Sequence, residues 1–411
     1  MDVSGGKRKE YLCYAMYALA GAVAFIPLGG NYILSGGMIT EWIARMGELA
    51  EGMGEGHLYL FPSADAIIRG GVRFNGLNSN LWFLLPGLLY RLCGNLVLVY
   101  RLHMAAVQLG TLFASILFFR KVFSKDGLLP SALGVLLYMT CPYRIYICYD
   151  FSNLSQAVAW MLLPLYLWAV LGLMGSAGKE GGGRMVVAAL ALAGIGYADG
   201  VFFVVSAAMS LLAGLIGRRP WVLAALAAGS VFYGPGLSRL LRYLFVEDFA
   251  EYGLPLKSIM PEGYRLGEYF SSYCFRAGHP GMGLGMLIGI LAGVWLMVVA
   301  DKKPDNPMGK IFAGLAGFFT VLSLRYFPWD LVERLGGWAL KFVSLMDTPA
   351  MFWGMAFLCL CVPAAVSVGR IVRMGNKPAA YGVLLAVVLF CAGICVYQCN
   401  TLMYTRPPVA F

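Results

Sequence analysis

Apolar runs of about 18 residues or more recur along this chain, each closed by a short polar or Gly- and Pro-rich break. The first run, 11–28, follows Lys7, Arg8 and Lys9. The longest stretch that does not read as spanning comes next, residues 30–97. Within it, TEWIARMGELAEGM (40–53) sets Trp42, Met46, Leu49 and Met53 on one helical face, with Glu41, Arg45, Glu48 and Glu51 largely opposite. That spacing predicts an amphipathic helix lying along a membrane interface. A turn-rich connection (57–80) leads to NLWFLLPGLLYRL (80–92), a run that is short and interrupted by Pro86. It predicts a second surface helix rather than a span.

Charge supports that choice. With 80–92 on the surface, the remaining runs fall at 97–118, 127–142, 152–174, 184–198, 200–216, 220–243, 281–300, 309–326, 350–370 and 378–397. Together with 11–28 they predict an all-α, polytopic membrane protein of about eleven transmembrane helices. The segments on one side are then MDVSGGKRKE, RKVFSKD, GKEGGGR, GRRP, DKKPDNPMGK and GRIVRMGNK, which carry just over half of the 31 Lys and Arg. Short basic loops mark the cytoplasmic side. The expectation is a cell-membrane protein with its amino end inside and its carboxyl end outside. The 30–97 loop, 243–281 and 325–349 then face outward.

Composition agrees: 60% of residues are hydrophobic and 13% charged, with a mean hydropathy of +0.74. Soluble domains carry about 25% charged residues, and continuous apolar runs do not suit the alternating strands of a membrane barrel. The net charge of +10 sits in loop clusters, so no nucleic-acid partner is expected. Of the ten cysteines, Cys13, Cys141, Cys359, Cys361 and Cys391 lie in apolar runs, where cysteine acts as a small hydrophobe. Cys391, Cys395 and Cys399 share a helix face without His or carboxylate beside them, which argues against a metal site. Cys148 and Cys274 both fall in outer loops, where a disulfide is open to them. The amino end, with no small-x-small cleavage site, reads as a retained anchor. Gly285, Gly289 and Gly293 make a small-residue ridge suited to close helix packing. No P-loop, Rossmann, zinc-finger or nucleophile-elbow spacing occurs, and His57, His103 and His279 are far apart.

Chemistry is therefore sought in the outward segments, which carry Glu41, Arg45, Asp65 and Arg73, and in polar groups near span ends: Arg144, Asp150, Arg325 and Asp330. Ionisable groups at such depth are costly and often functional, although mutual pairing at the interface also explains them.

The order of these features resembles a known family. Asn75-Gly76, then Asn80-Leu81, then Pro86-Gly87-Leu88-Leu89-Tyr90 opens the pattern. Pro142-Tyr143-Arg144 closes a span, and Phe327-Pro328-Trp329 stands near the end. Over about 30–370 the chain looks like the YfhO-type bacterial membrane proteins, some labelled pyruvoyl-tetrahydropterin-synthase-related, of the GT-C glycosyltransferase group. The resemblance implies a GT-C-like topology with juxtamembrane helices in the first outer loop. It also implies transfer of a sugar from a polyprenyl-phosphate donor to an envelope glycan or lipid acceptor, without a cofactor or metal. A first-loop carboxylate serves as base in such enzymes, and cations hold the donor phosphate. Here Glu41, with Asp65 in reserve, is the candidate base; Arg45, Arg73, Arg144 and Asp150 are the candidate substrate-binding groups. The string departs from the family at Met38, where Asp is usual, at Trp42, where His is usual, and at Gln156, where Glu occurs. Two other readings stand beside transfer: a catalytically silent relative serving envelope polysaccharide assembly, and a lipid or oligosaccharide transporter. The transporter reading needs polar groups within spans, and the chain has few beyond the span-terminal Asp199 and Arg239.

Overall fold

A chain so rich in apolar residues must satisfy its backbone amides internally, and helices do this within one segment. The computed structural model describes residues 3–62, 77–175, 181–246, 263–270, 280–298, 306–346, 349–374, 377–406, 408 and 409. Among them the fold is all-helical, at 82% helix with seventeen helices and no strands. In chain order these are α1 (Val3–Ala24), α2 (Ile39–Gly54), α3 (Leu84–Cys93), α4 (Leu96–Val122), α5 (Leu128–Met139) and α6 (Pro142–Ile145). There follow α7 (Leu154–Gly175), α8 (Gly181–Ala198), α9 (Gly200–Ile216), α10 (Pro220–Phe232), α11 (Gly234–Phe245) and α12 (Leu284–Val298). The series ends with α13 (Pro307–Ser323), α14 (Trp329–Glu333), α15 (Gly337–Leu345), α16 (Ala350–Arg373) and α17 (Lys377–Thr405).

Five of the described helices, α4, α7, α8, α16 and α17, are long and apolar enough to cross a membrane singly, and seven spans result if two bent pairs each count once. The expected run 127–142 is α5, which bends by 41° into Pro142–Asp150. Pro142 sets the first turn of the new segment, a position that needs no backbone donor. The expected run 220–243 is two helices meeting at 80° around Tyr233, where Gly234-Pro235-Gly236 interrupts the helix. α9, α12 and α13 have 17, 15 and 17 residues, short of the roughly 20 that cross a 30 Å core without tilt.

α16 is the centre of the bundle, touching α5, α12, α13 and α17, while α7 lies between α4 and α8. The glycine ridge of α12 explains its fit. A Cβ on Gly289 would lie 2.8 Å from that of Ala364, and one on Gly293 would lie 2.8 Å from Ser367 Oγ. On the outside of the bundle, Phe113, Leu190, Leu291 and Leu389 are exposed, as a lipid-facing surface would leave them.

The helix expected at 40–53 is α2, and the one expected at 80–92 is a turn over Leu81–Phe83 followed by α3. The two pack together: a Cβ on Gly87 would lie 2.8 Å from Leu49 Cβ. The polar face of α2 departs from expectation. Trp42, Met46 and Leu49 are buried as the periodicity predicts, but Glu41 and Arg45 on the other face are buried too. The returning chain at 77–83 covers them. It is fixed from behind by α8, because Trp82 Nε1 donates to Gly194 O at 2.9 Å and Ser79 N donates to Tyr197 O at 3.2 Å.

Candidate functional site

The loop between α1 and α2 rests on the turn between α6 and α7. Gly37 N donates to Asp150 O at 3.1 Å and Met38 N to Phe151 O at 2.8 Å. This sets the start of α2 against Ser152 and Asn153. Asn153 in turn opens α7 by accepting from Gln156 N at 3.0 Å. Ser152 holds φ at 53°, a left-handed conformation uncommon outside glycine.

At this junction Glu41 and Arg45, one helical turn apart, form a buried ion pair. Glu41 Oε1 accepts from Arg45 Nη2 at 2.7 Å and from Nε at 3.1 Å. Arg45 Nη1 donates to Asn80 Oδ1 at 3.2 Å and to Asn78 O at 3.3 Å. The guanidinium also lies 5.7 Å from the centre of the Phe83 ring. Arg45 therefore clips α2 to the returning chain, with its planar fork answering three acceptors. Two buried atoms are left over: Glu41 Oε2 and Trp42 Nε1 have no hydrogen-bond partner. Both residues line a cleft with Met38, Phe83 and residues 152–155, with a volume of about 10 Å3. That is room for one water or one hydroxyl group, and a hydroxyl can both donate to a carboxylate and accept from an indole N–H.

The other candidates fall in different places. Asp65 and Arg73 lie outside the described residues, as does Cys274, so the Cys148–Cys274 pairing does too; Cys148 itself is buried. Asp150 is buried and pairs with Arg406, whose Nε donates to its Oδ1 at 2.8 Å and whose Nη2 donates to the same oxygen. Arg406 comes from just past α17. There the chain is strapped back onto the first loop, with Val409 N donating to Ile33 O at 2.9 Å. Arg144 lies inside the bundle and does not line the cleft. It donates to Gln108 Oε1 at 2.5 Å and to Met139 O at 3.0 Å. Gln108 and Tyr149 extend this network to Ala24 O. Arg325 and Asp330 are not in the cleft lining either.

Gln156 meets Asp199, which opens α9 by accepting from Val201 N at 2.9 Å and Phe202 N at 3.1 Å. Burial pushes the Asp199 carboxyl up from its ordinary value, while the two amides and the Gln156 side chain pull it back. Among the described residues, no group of three His, Cys, Asp or Glu side chains could hold a metal ion.

Sequence reasoning missed Arg406, Asn78 and Asn80 as partners. Asn80 lay within the quoted 75–90 pattern, whereas nothing local marks Arg406 as the partner of a residue so distant in sequence. No protein-family model and no curated protein matches this chain.

Proposed function

We propose that the chain is a GT-C-like membrane transferase in which Glu41 takes the proton of an acceptor hydroxyl as a sugar leaves a polyprenyl-phosphate donor. The observation that carries this reading is Glu41 Oε2, buried without a partner at a cleft the size of one hydroxyl group. The acceptor oxygen bonds to the anomeric carbon, the bond from that carbon to the phosphate oxygen breaks, and the lipid phosphate departs with the electron pair. The released proton passes to Glu41. Arg45 also lines the cleft and donates to Glu41, Asn78 and Asn80. Arg406, 40% exposed on its side chain, is a cation at this junction that solvent reaches. Entry of a sugar requires the cleft to widen, because it admits no more than one hydroxyl. In this reading all eleven predicted segments cross the cell membrane, with the amino end inside and the cleft at the outer face. The acceptor is then an envelope glycan or lipid.

A second reading has its own observation. The Glu41–Arg45–Asn78–Asn80 contacts also make an internal clip, as a catalytically silent accessory protein would keep for structure alone. One assay separates the two: purified full chain in lipid nanodiscs, polyprenyl-phosphate sugars as donors, and released or transferred sugar as the signal. Transfer by wild type, lowered about 100-fold or more in Glu41→Gln with donor binding retained, is the outcome expected of the transferase. Absence of turnover with every donor selects the silent relative.

A further inference from the structure

A large open cavity lies at the other end of the bundle. α4 carries Tyr100, whose ring centre is 5.5 Å from that of Trp42, and it carries Lys121 about 30 Å further along at 1.5 Å per residue. There Lys121, Lys125, Arg370 and Arg373 line a cavity of about 910 Å3, with Asp126 as the carboxylate in its described lining. Asp126 is already engaged. It accepts from Asn306 Nδ2 at 2.5 Å, and Arg373 both donates to its backbone carbonyl and approaches its carboxylate at 3.9 Å. The chamber thus joins the ends of α4 and α16 to the start of α13, and among the described residues its lining carries an excess of positive charge.

Leu171, Met174 and Met308 line this chamber and also a second cavity of about 520 Å3. The second is apolar and runs between α7, α9, α13 and α16. Of the hydroxyls in its lining, on Tyr166, Ser206 and Ser210, those of Tyr166 and Ser210 are bonded to each other at 2.5 Å. Along α9 its lining extends from Val205 to Gly217, about 18 Å of helix, close to the roughly 15 Å half-thickness of a bilayer's hydrocarbon core. A free phosphate has no use for such a groove, and a zwitterionic lipid offers no net charge to a described lining of four basic residues and one carboxylate.

We propose that the two cavities hold one anionic phospholipid, with its phosphate in the basic chamber and one acyl chain in the groove between α7 and α9. Basic pockets between membrane helices suit anionic head groups, and here a matched hydrocarbon slot opens from the pocket. The site is separate from the Glu41 cleft and does not depend on transferase activity.

The test uses the detergent-purified full chain, with lipid retention counted by native mass spectrometry. The probes are dioleoyl phosphatidylglycerol, dioleoyl phosphatidylcholine and inorganic phosphate. One phosphatidylglycerol per chain, retained at least ten-fold more tightly than phosphatidylcholine and not displaced by equimolar inorganic phosphate, is expected. The double variant Lys121→Gln/Lys125→Gln loses that preference, and Lys121→Arg/Lys125→Arg keeps it, which separates charge from folding. Ala213→Trp, which narrows the groove without altering charge, weakens phosphatidylglycerol retention ten-fold or more. Equal retention of the two lipids, displacement by inorganic phosphate, or full retention in Ala213→Trp overturns the proposal.

Discussion

Gly36 lies so close to Ser152 that a Cβ added to it would sit 2.5 Å from the Ser152 Cβ and inside the contact radius of its hydroxyl. The approach lets the first loop bond along residues 150–151 and brings Glu41 to its cleft. Gly36→Ala forces the two strips of chain apart, and overpacking of this kind costs about 1–3 kcal/mol. A lower thermal midpoint in detergent is expected. The double variant Gly36→Ala/Ser152→Gly recovers part of the loss, because it removes the serine side chain and the left-handed serine while the new Cβ still meets Asp150 O at 2.9 Å. An unchanged midpoint in Gly36→Ala would show that the contact carries no weight.

Arg45→Ala leaves Glu41 buried without its cation, a change that costs about 3–5 kcal/mol. Removing the charge from both residues is milder than removing it from Arg45 alone. A double-mutant cycle with Glu41→Gln therefore shows strong coupling in thermal or denaturant melts. Arg45→Lys does not restore stability, since an ammonium cannot reach Glu41, Asn78 and Asn80 with one planar fork. Additive losses across the cycle would show that the pair acts as two independent residues.

Arg406→Gln strands a buried carboxylate at Asp150 and loosens the strap beyond α17. Faster hydrogen exchange is expected at the amides of Val409, Gly37 and Met38, whose acceptors lie on the first loop and on residues 150–151. Protection at Trp82 and α8 is expected to stay as in wild type. A uniform rise in exchange across the chain would instead point to global destabilisation.

For Asp199 the expectation is set by pH. Its carboxyl is raised by burial in the folded chain, so the folded state holds the proton more tightly than the unfolded state does. The destabilisation due to its charge is absent below the unfolded value near 3.9 and grows as pH rises through the folded value. Asn caps a helix about as well as Asp. Asp199→Asn is therefore expected to melt higher than wild type at pH 7, with the gap closing toward pH 4. Asp199→Ala, which loses the cap as well as the charge, forfeits about 1 kcal/mol of capping and separates the two effects. A gap of constant size across that pH range would rule out the burial effect.

Much of the helix order was readable because periodicity and length are local properties. α2 at Ile39–Gly54 lies within one residue at each end of the expected 40–53, and α3 at Leu84–Cys93 begins four residues after the expected start at 80, behind the turn over Leu81–Phe83. The burial of Glu41 and Arg45 was not readable. It depends on residues 77–83 returning across a face that looks solvated when α2 is read alone. The 80° bend at Tyr233 has a local sign, Gly234-Pro235-Gly236, inside a run whose apolar length reads as a single span. The Asp150–Arg406 pair had none, since only the folded chain brings these residues together.

The strap between Val409 and Ile33 has a consequence for the order of assembly. The loop that positions Glu41 is made early during synthesis, but Asp150 gains its counter-charge and Ile33 its backbone partner only after α17 has been made and packed. Until then the junction is an open end with a buried carboxylate uncompensated. A nascent chain stalled before α17 is thus expected to hold most of its helices and still lack a finished cleft.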